Sequence, residues 1–131
     1  MSLTREQVLA TGSGQSLNCL VSEIVLQQET LRTYEGIEIA PMIKLGKSYY
    51  LVPGYSEDIS ASWEVIGRMR GEGYRYVINV LGEESGGVER GEADIGDTRV
   101  NFVRDGRYYW AYAKTAQEAI CKAALLAVLN L

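Results

Sequence analysis

Apolar and polar positions alternate along this chain with periods that change from helical to extended and back. The clearest helical stretch is the last, residues 115–129. Thr115 and Glu118 have the spacing of a capping box, in which the hydroxyl accepts from the Glu118 N–H and the carboxylate reaches back. Strong helix formers follow, with no Gly or Pro to interrupt them. Steps of 3.6 residues from Glu118 reach Lys122, Leu125 and Leu129, so a polar stripe turns apolar halfway along. A helix that is apolar on nearly every side needs cover from more than one direction. The exposed-looking end, Leu125 and Leu129, can be covered by another helix of the same chain or by a second subunit. A single sheet with few helices favours self-association through these two leucines.

The rest of the chain yields a plausible element order. Residues 4–7 (Thr, Arg, Glu, Gln) form another capping-box pattern and open a short helix through Ala10, which residues 11–14 break. Leu17, Leu20, Val21, Ile24 and Gln28 share one face of an amphipathic helix of about 13 residues. Between residues 29 and 53 the pattern predicts a small hairpin. Ile37 and Ile39 alternate with Glu38, Pro41 assigns that strand to an edge, and Leu45-Gly46 turns the chain into residues 47–52. Ser56 is the predicted N-cap of a further helix with apolar stripe Ile59, Trp63, Ile66 and Met69, which makes Trp63 a core anchor. Arg68 and Arg70 suit its C-terminal end, and Gly71 and Gly73 stop it. A strand over residues 74–81 follows, with Tyr74, Tyr76, Ile78 and Val80 on one face. Val77 and Leu81 lie on the other, which predicts at least partial cover on both.

The second hairpin, 98–103 with 108–113, is the best defined. Asp105-Gly106 is a preferred two-residue turn and sets the register. Phe102 then faces Tyr109 and Val100 faces Ala111. On the opposite face Val103 meets Tyr108, Asn101 meets Trp110 and Arg99 meets Tyr112. Arg99, Asn101, Tyr108, Trp110 and Tyr112 therefore form a row of aromatic and polar groups able to stack and hydrogen-bond a nucleotide-like ligand. The competing expectation is that a helix covers those rings. At the tip, Arg104 and Arg107 stand opposite each other, an unfavourable pairing of like charges that an internal carboxylate, a phosphate or a partner would relieve.

Composition narrows the chemistry. At 131 residues the chain is sized for a single domain, 1–131. A net charge of −4 argues against nucleic-acid binding, which rests on Lys and Arg. No histidine is present, which removes the commonest general base and zinc ligand and every Ser-His or Cys-His dyad. The remaining carboxylates cluster at helix starts and in the Gly-rich, acidic stretch 82–97. That stretch lacks the Gly-Lys-Ser/Thr of a phosphate loop and the spacing of an EF-hand. It is expected to be a solvated, mobile loop, with a weak cation site as the alternative. No catalytic residue, metal ligand or cofactor is expected, and the balance leans away from an enzyme. Cys19 and Cys121 are expected as buried free thiols, a disulfide between them being the alternative. No apolar run reaches the roughly 18 residues of a membrane span, and no signal peptide is expected. The expected location is cytoplasmic.

Three segments carry a resemblance. Tyr-Ser-Glu-Asp-Ile-Ser-Ala-Ser-Trp-Glu-Val-Ile (55–66) resembles a recurring helix start in phage and prophage proteins. Residues 108–127, Tyr-Tyr-Trp-Ala-Tyr-Ala-Lys-Thr-Ala-Gln-Glu-Ala-Ile-Cys-Lys-Ala-Ala-Leu-Leu-Ala, resemble a strand leading into a helix in the same proteins. Residues 4–6 and Ser-Leu-Asn-Cys-Leu-Val-Ser-Glu (16–23) are similar to their opening helix. Together, and in this order, they resemble the phage ABA sandwich domain family. The resemblance implies an α+β, three-layer α/β/α fold with a mostly antiparallel sheet and a C-terminal hairpin-helix unit, and a phage or prophage origin. It implies no activity and no catalytic residues. The expectation is an accessory protein acting by binding, most simply by protein–protein contact, with a small-ligand module as the alternative.

Overall fold

The computed structural model describes residues 3–131. Its elements, in chain order, begin with α1 (Arg5–Ala10), α2 (Gln15–Leu20) and a π-helical turn, Val21–Val25. The strands β1 (Thr30–Tyr34), β2 (Ile37–Leu45) and β3 (Ser48–Leu51) follow, then helix α3 (Ile59–Gly71). The chain continues through β4 (Arg75–Val80), α4 (Gly86–Glu89), β5 (Thr98–Arg104), β6 (Arg107–Ala113) and α5 (Ala116–Leu129). Two three-stranded antiparallel sheets result, in the orders β1-β2-β3 and β4-β5-β6. The α+β architecture is the one expected.

Helix α5 organises the core. It packs on β5 and β6 on one side and on α3, α1, α2 and the π-turn on the others. All residues from Ala119 to Ala127 are buried, which meets the demand its all-round apolar sequence makes. Thr115 accepts from the Glu118 N–H at 3.2 Å, but the Glu118 carboxylate does not complete the box. It pairs with Lys122 at 2.8 Å, and the Lys122 ammonium also donates to the Leu9 carbonyl at 2.8 Å. The supposed solvent stripe therefore lies under α1, whose own capping box forms in full between Thr4 and Gln7. Leu125 has no exposure and Leu129 packs partly buried against the same core, so the interface role expected of them is corrected: their cover is intramolecular. Asn130 in the left-handed region (φ 55°) ends the helix.

Helix α3 is rotated from its expected register. Its buried positions are Ser62, Val65, Ile66 and Met69, whereas Ile59 and Trp63 lie on the rim, Trp63 being 48% exposed. Trp63 rests edge-on against Tyr76, centroids 6.2 Å apart. It is not the expected anchor, so Trp63→Ala should cost only about 1 kcal/mol, the scale of one aromatic pair. A thermal melt lowered by much more than about 8 °C would contradict this placement.

The helix also starts later than expected. Asp58, not Ser56, is the N-cap, accepting from the Ser60 N–H at 2.9 Å. Ser56 is buried, and the Asn18 side-chain oxygen accepts from both its N–H (2.8 Å) and its hydroxyl (2.6 Å). The Asn18 amide donates to Glu57 at 3.0 Å. Two segments distant in sequence, 16–23 and 55–66, are thus joined by a buried polar clasp. Beside it Tyr55 is fully buried, and burial pushes its phenol up to about 12. Burial likewise pushes the Cys121 thiol up to about 12 and raises that of Cys19, and both cysteines are free.

The first hairpin became a sheet. Pro41 sits in its central strand, not at an edge, because the β1–β2 pairing skips: Leu31 pairs with Met42 and Thr33 with Glu38. Pro41 falls within that irregularity, where no N–H is required of it, and its carbonyl accepts from Val52. The predicted helix over Leu17–Gln28 likewise divides into α2 and the π-turn. Strand β4 is an edge strand with the partial cover expected: Tyr74 and Leu81, which flank it, are buried, whereas Val77 and Val80 are 51% and 74% exposed.

Candidate functional site

The β5–β6 register is the one the Asp105-Gly106 turn dictates, with both turn residues at positive φ (53° and 75°). Strand β4 extends its rows. On the face turned away from α5, Asn79 pairs with Arg99 and Arg99 with Tyr112, while Val77, Asn101 and Trp110 form the next row. Val103 and Tyr108 continue with Arg75 toward the tip. The five residues of the predicted row therefore do share one face.

Among the described residues no long helix covers that face. Its cover is α4 and the stretch around it, which has a definite path: the Leu81 N–H donates to the Asp97 carbonyl, the Leu81 carbonyl accepts from the Gly96 N–H, and Lys114 reaches Asp97 (2.9 Å) and Asp94 (2.6 Å). The Asp94 N–H, and then Lys114, hold the Asp97 carboxyl below its usual range. Expected as a bare solvated loop, residues 82–97 instead form a clasp with a helical turn. Among the described residues no group of three or more His, Cys, Asp or Glu is placed to hold a metal ion.

Between this clasp and the sheet lies a cavity of about 480 Å³. Arg99, Trp110 and Tyr112 line it, joined by Asn79, Ser85, Gly86 and Arg90. Asn101 and Tyr108 lie on the same face but outside its wall, and Tyr108 is 61% exposed. The Arg99 guanidinium sits 5.8 Å from the Trp110 ring centre, and Arg5 of α1 sits 5.3 Å from it. Trp110 is also a wall of a second cavity, about 400 Å³, shared with Arg5.

The electrostatics of the larger cavity are unusual for an acidic protein: its lining holds two arginines and no carboxylate. Arg90 is already held by Glu92 through two bonds of 2.9 and 3.1 Å. Arg99 forms no ion pair among the described residues, and its Nε is buried without a hydrogen-bond partner, as is the Asn101 Oδ1. Leaving a buried donor unpaired costs about 1–3 kcal/mol. Gly87 permits the close approach of the clasp: a Cβ there would lie 2.6 Å from the Tyr112 hydroxyl. The Gly86-Gly87 pair was the available sequence signal for this wall.

The tip arginines pair at their Cα positions, but their side chains diverge. Arg104 donates to the Glu72 carbonyl at 2.9 Å and lies 4.3 Å from the Tyr74 ring centre. Arg107 donates to Asn130 at 3.1 Å. Internal acceptors thus relieve the like-charge pair, and the acidic stretch sits at the other end of the sheet.

Comparison with known proteins places the chain. No curated protein matches it. A 2.0 Å crystal structure of a phage protein from Bacillus cereus ATCC 14579 is similar in fold, with a TM-score of 0.55 at 19% identity, over 88% of this chain and 92% of that one. Residues 20–125 match the phage ABA sandwich domain. The chain is a member of the phage ABA sandwich domain family.

Proposed function

We propose that this phage-family protein acts by binding, and that the cavity over β4-β5-β6 holds a small molecule with a planar ring and an anionic group. A mononucleotide is the simplest such compound. The observation that carries this reading is Arg99, without an ion pair among the described residues, in a cavity whose lining holds no carboxylate and is walled by Trp110 and Tyr112. The rings supply stacking worth about 1–3 kcal/mol per base, and Arg99 supplies a charge-assisted bond. The absence of histidine supports binding over catalysis. The two free thiols support a reducing compartment, the host cytoplasm.

Calorimetric titration with AMP, GMP, CMP and UMP tests this. At least one should bind, and Arg99→Gln should weaken it by about 10- to 100-fold, the value of one charged hydrogen bond. No heat from any of the four at millimolar concentration, or equal affinity in the variant, removes the reading.

A second reading, contact with another protein, is favoured by the first sheet. Its Tyr34, Ile37 and Leu51 are 61%, 68% and 64% exposed. Among the described residues no helix is long and apolar enough to cross a membrane.

A further inference from the structure

The first sheet has an inward and an outward face. Ile43 on the inward face is buried, and Thr30 beside it donates to Glu23 at 2.6 Å. The outward side chains alternate with these. Leu31, Met42 and Leu51 form one cross-strand row, with Tyr49 and Tyr34 toward the two ends. They wall an apolar concavity of about 580 Å³. A three-stranded sheet needs an apolar face packed on something to be stable, and here one such face is open.

We infer that this face is closed by the same face of a second copy, related by a two-fold axis that lies between the sheets and across their strands. This rests on the reading that the first sheet makes a protein contact. The charges select the occupant. Residues 29–52 carry three acidic and three basic side chains, so the net charge of −4 resides wholly elsewhere. They are also segregated. Glu35 and Glu38 stand at the end where Tyr34 pairs with Ile37. Lys44 and Lys47 stand at the other, where Leu45 pairs with Ser48. Glu29 lies near Lys44, its carbonyl accepting from the Lys44 N–H, and offsets one lysine; Arg32 is engaged by Glu23. The two ends keep opposite signs.

An axis across the strands reverses their direction, so each acidic end lies over the partner's basic end. Both contacts form at once, as a self-complementary two-fold interface requires. Its footprint is small: three strands about 5 Å apart and a nine-residue β2 give about 15 by 30 Å. Contacts of that size belong to the weak class, so the dimer should form at micromolar concentration.

Sedimentation equilibrium of the intact chain over about 1–200 µM spans that range. The wild type should pass from monomer to dimer, and Leu51→Glu should stay monomeric. Lys44→Glu with Lys47→Glu should weaken the dimer by about tenfold or more at low salt, and Glu35→Lys with Glu38→Lys should do the same. All four reversals together should restore it, because each copy supplies both ends. These positions are exposed, and circular dichroism checks their fold; the charge variants carry the test if Leu51→Glu misfolds. A wild type monomeric throughout, or a fourfold variant as weak as its parents, overturns the second copy. If that monomer retains a different phage or host protein and Leu51→Glu loses it, the contact reading survives without the dimer. If it retains none, both fall.

Discussion

Leu125→Glu should leave no folded protein at any concentration. Leu125 has no exposure in the single chain, being enclosed in the core that α5 shares with its neighbouring helices. The substitution forfeits the roughly 1.5–3 kcal/mol of a buried leucine. It also places a carboxylate in a buried apolar core, at a further cost of several kcal/mol whether it ionises or takes up a proton. Against a typical stability of about 5–15 kcal/mol, little remains. Loss of the helical circular dichroism signal would confirm the placement. A folded monomer obtained from a dimeric parent would return Leu125 to a subunit interface.

Lys122→Met should be the second most damaging change. The ammonium joins two groups that need it, the Glu118 carboxylate and the Leu9 carbonyl in the last turn of α1. The side chains of Lys122 and Glu118 are only 7% and 17% exposed. Removing one member of a buried pair strands the other, at about 3–5 kcal/mol. Glu118 keeps some access to water, which argues for the lower figure. Adding Glu118→Leu should recover part of the loss, since a pair removed together leaves no orphaned charge. Urea unfolding of the two variants measures this. A double variant less stable than Lys122→Met alone would show that the pair is not the source of the loss.

These two predictions mark where the sequence stops being legible. Local chemistry was readable: the Asp105-Gly106 turn sets the β5–β6 register, and a helix apolar all round announces burial. What covers each face was not. Glu118 and Lys122 have the spacing of a solvent-facing pair, and only the placement of α1 over them makes the stripe interior. Trp63 has core chemistry and stripe spacing, yet α3 turns Val65 inward beside Ile66. Ser56 looks like a cap because nothing in its own segment reveals Asn18 as its partner. Pro41 fits a central strand only because the neighbouring pairing is irregular there.

The site divides in the same way. Arg99, Trp110 and Tyr112 follow from hairpin register alone. Asn79 requires knowing that β4 pairs with β5, and Ser85 and Arg90 require the acidic clasp to fold over the sheet. Charge density in that stretch suggested solvent, whereas its anchors, Asp97 and Lys114, are set by contacts far apart in sequence.

The central claim, a ligand cavity over β4-β5-β6, can be tested with the two tryptophans. Trp110 lines the cavity, and Trp63 on α3 does not. Uniform nitrogen-15 labelling gives one indole N–H signal for each, so the protein carries its own control. On titration with the mononucleotide that binds best by calorimetry, the Trp110 signal should move progressively to saturation while that of Trp63 stays in place. A Trp110 signal unmoved at millimolar nucleotide, or a shift confined to Trp63, would contradict the account.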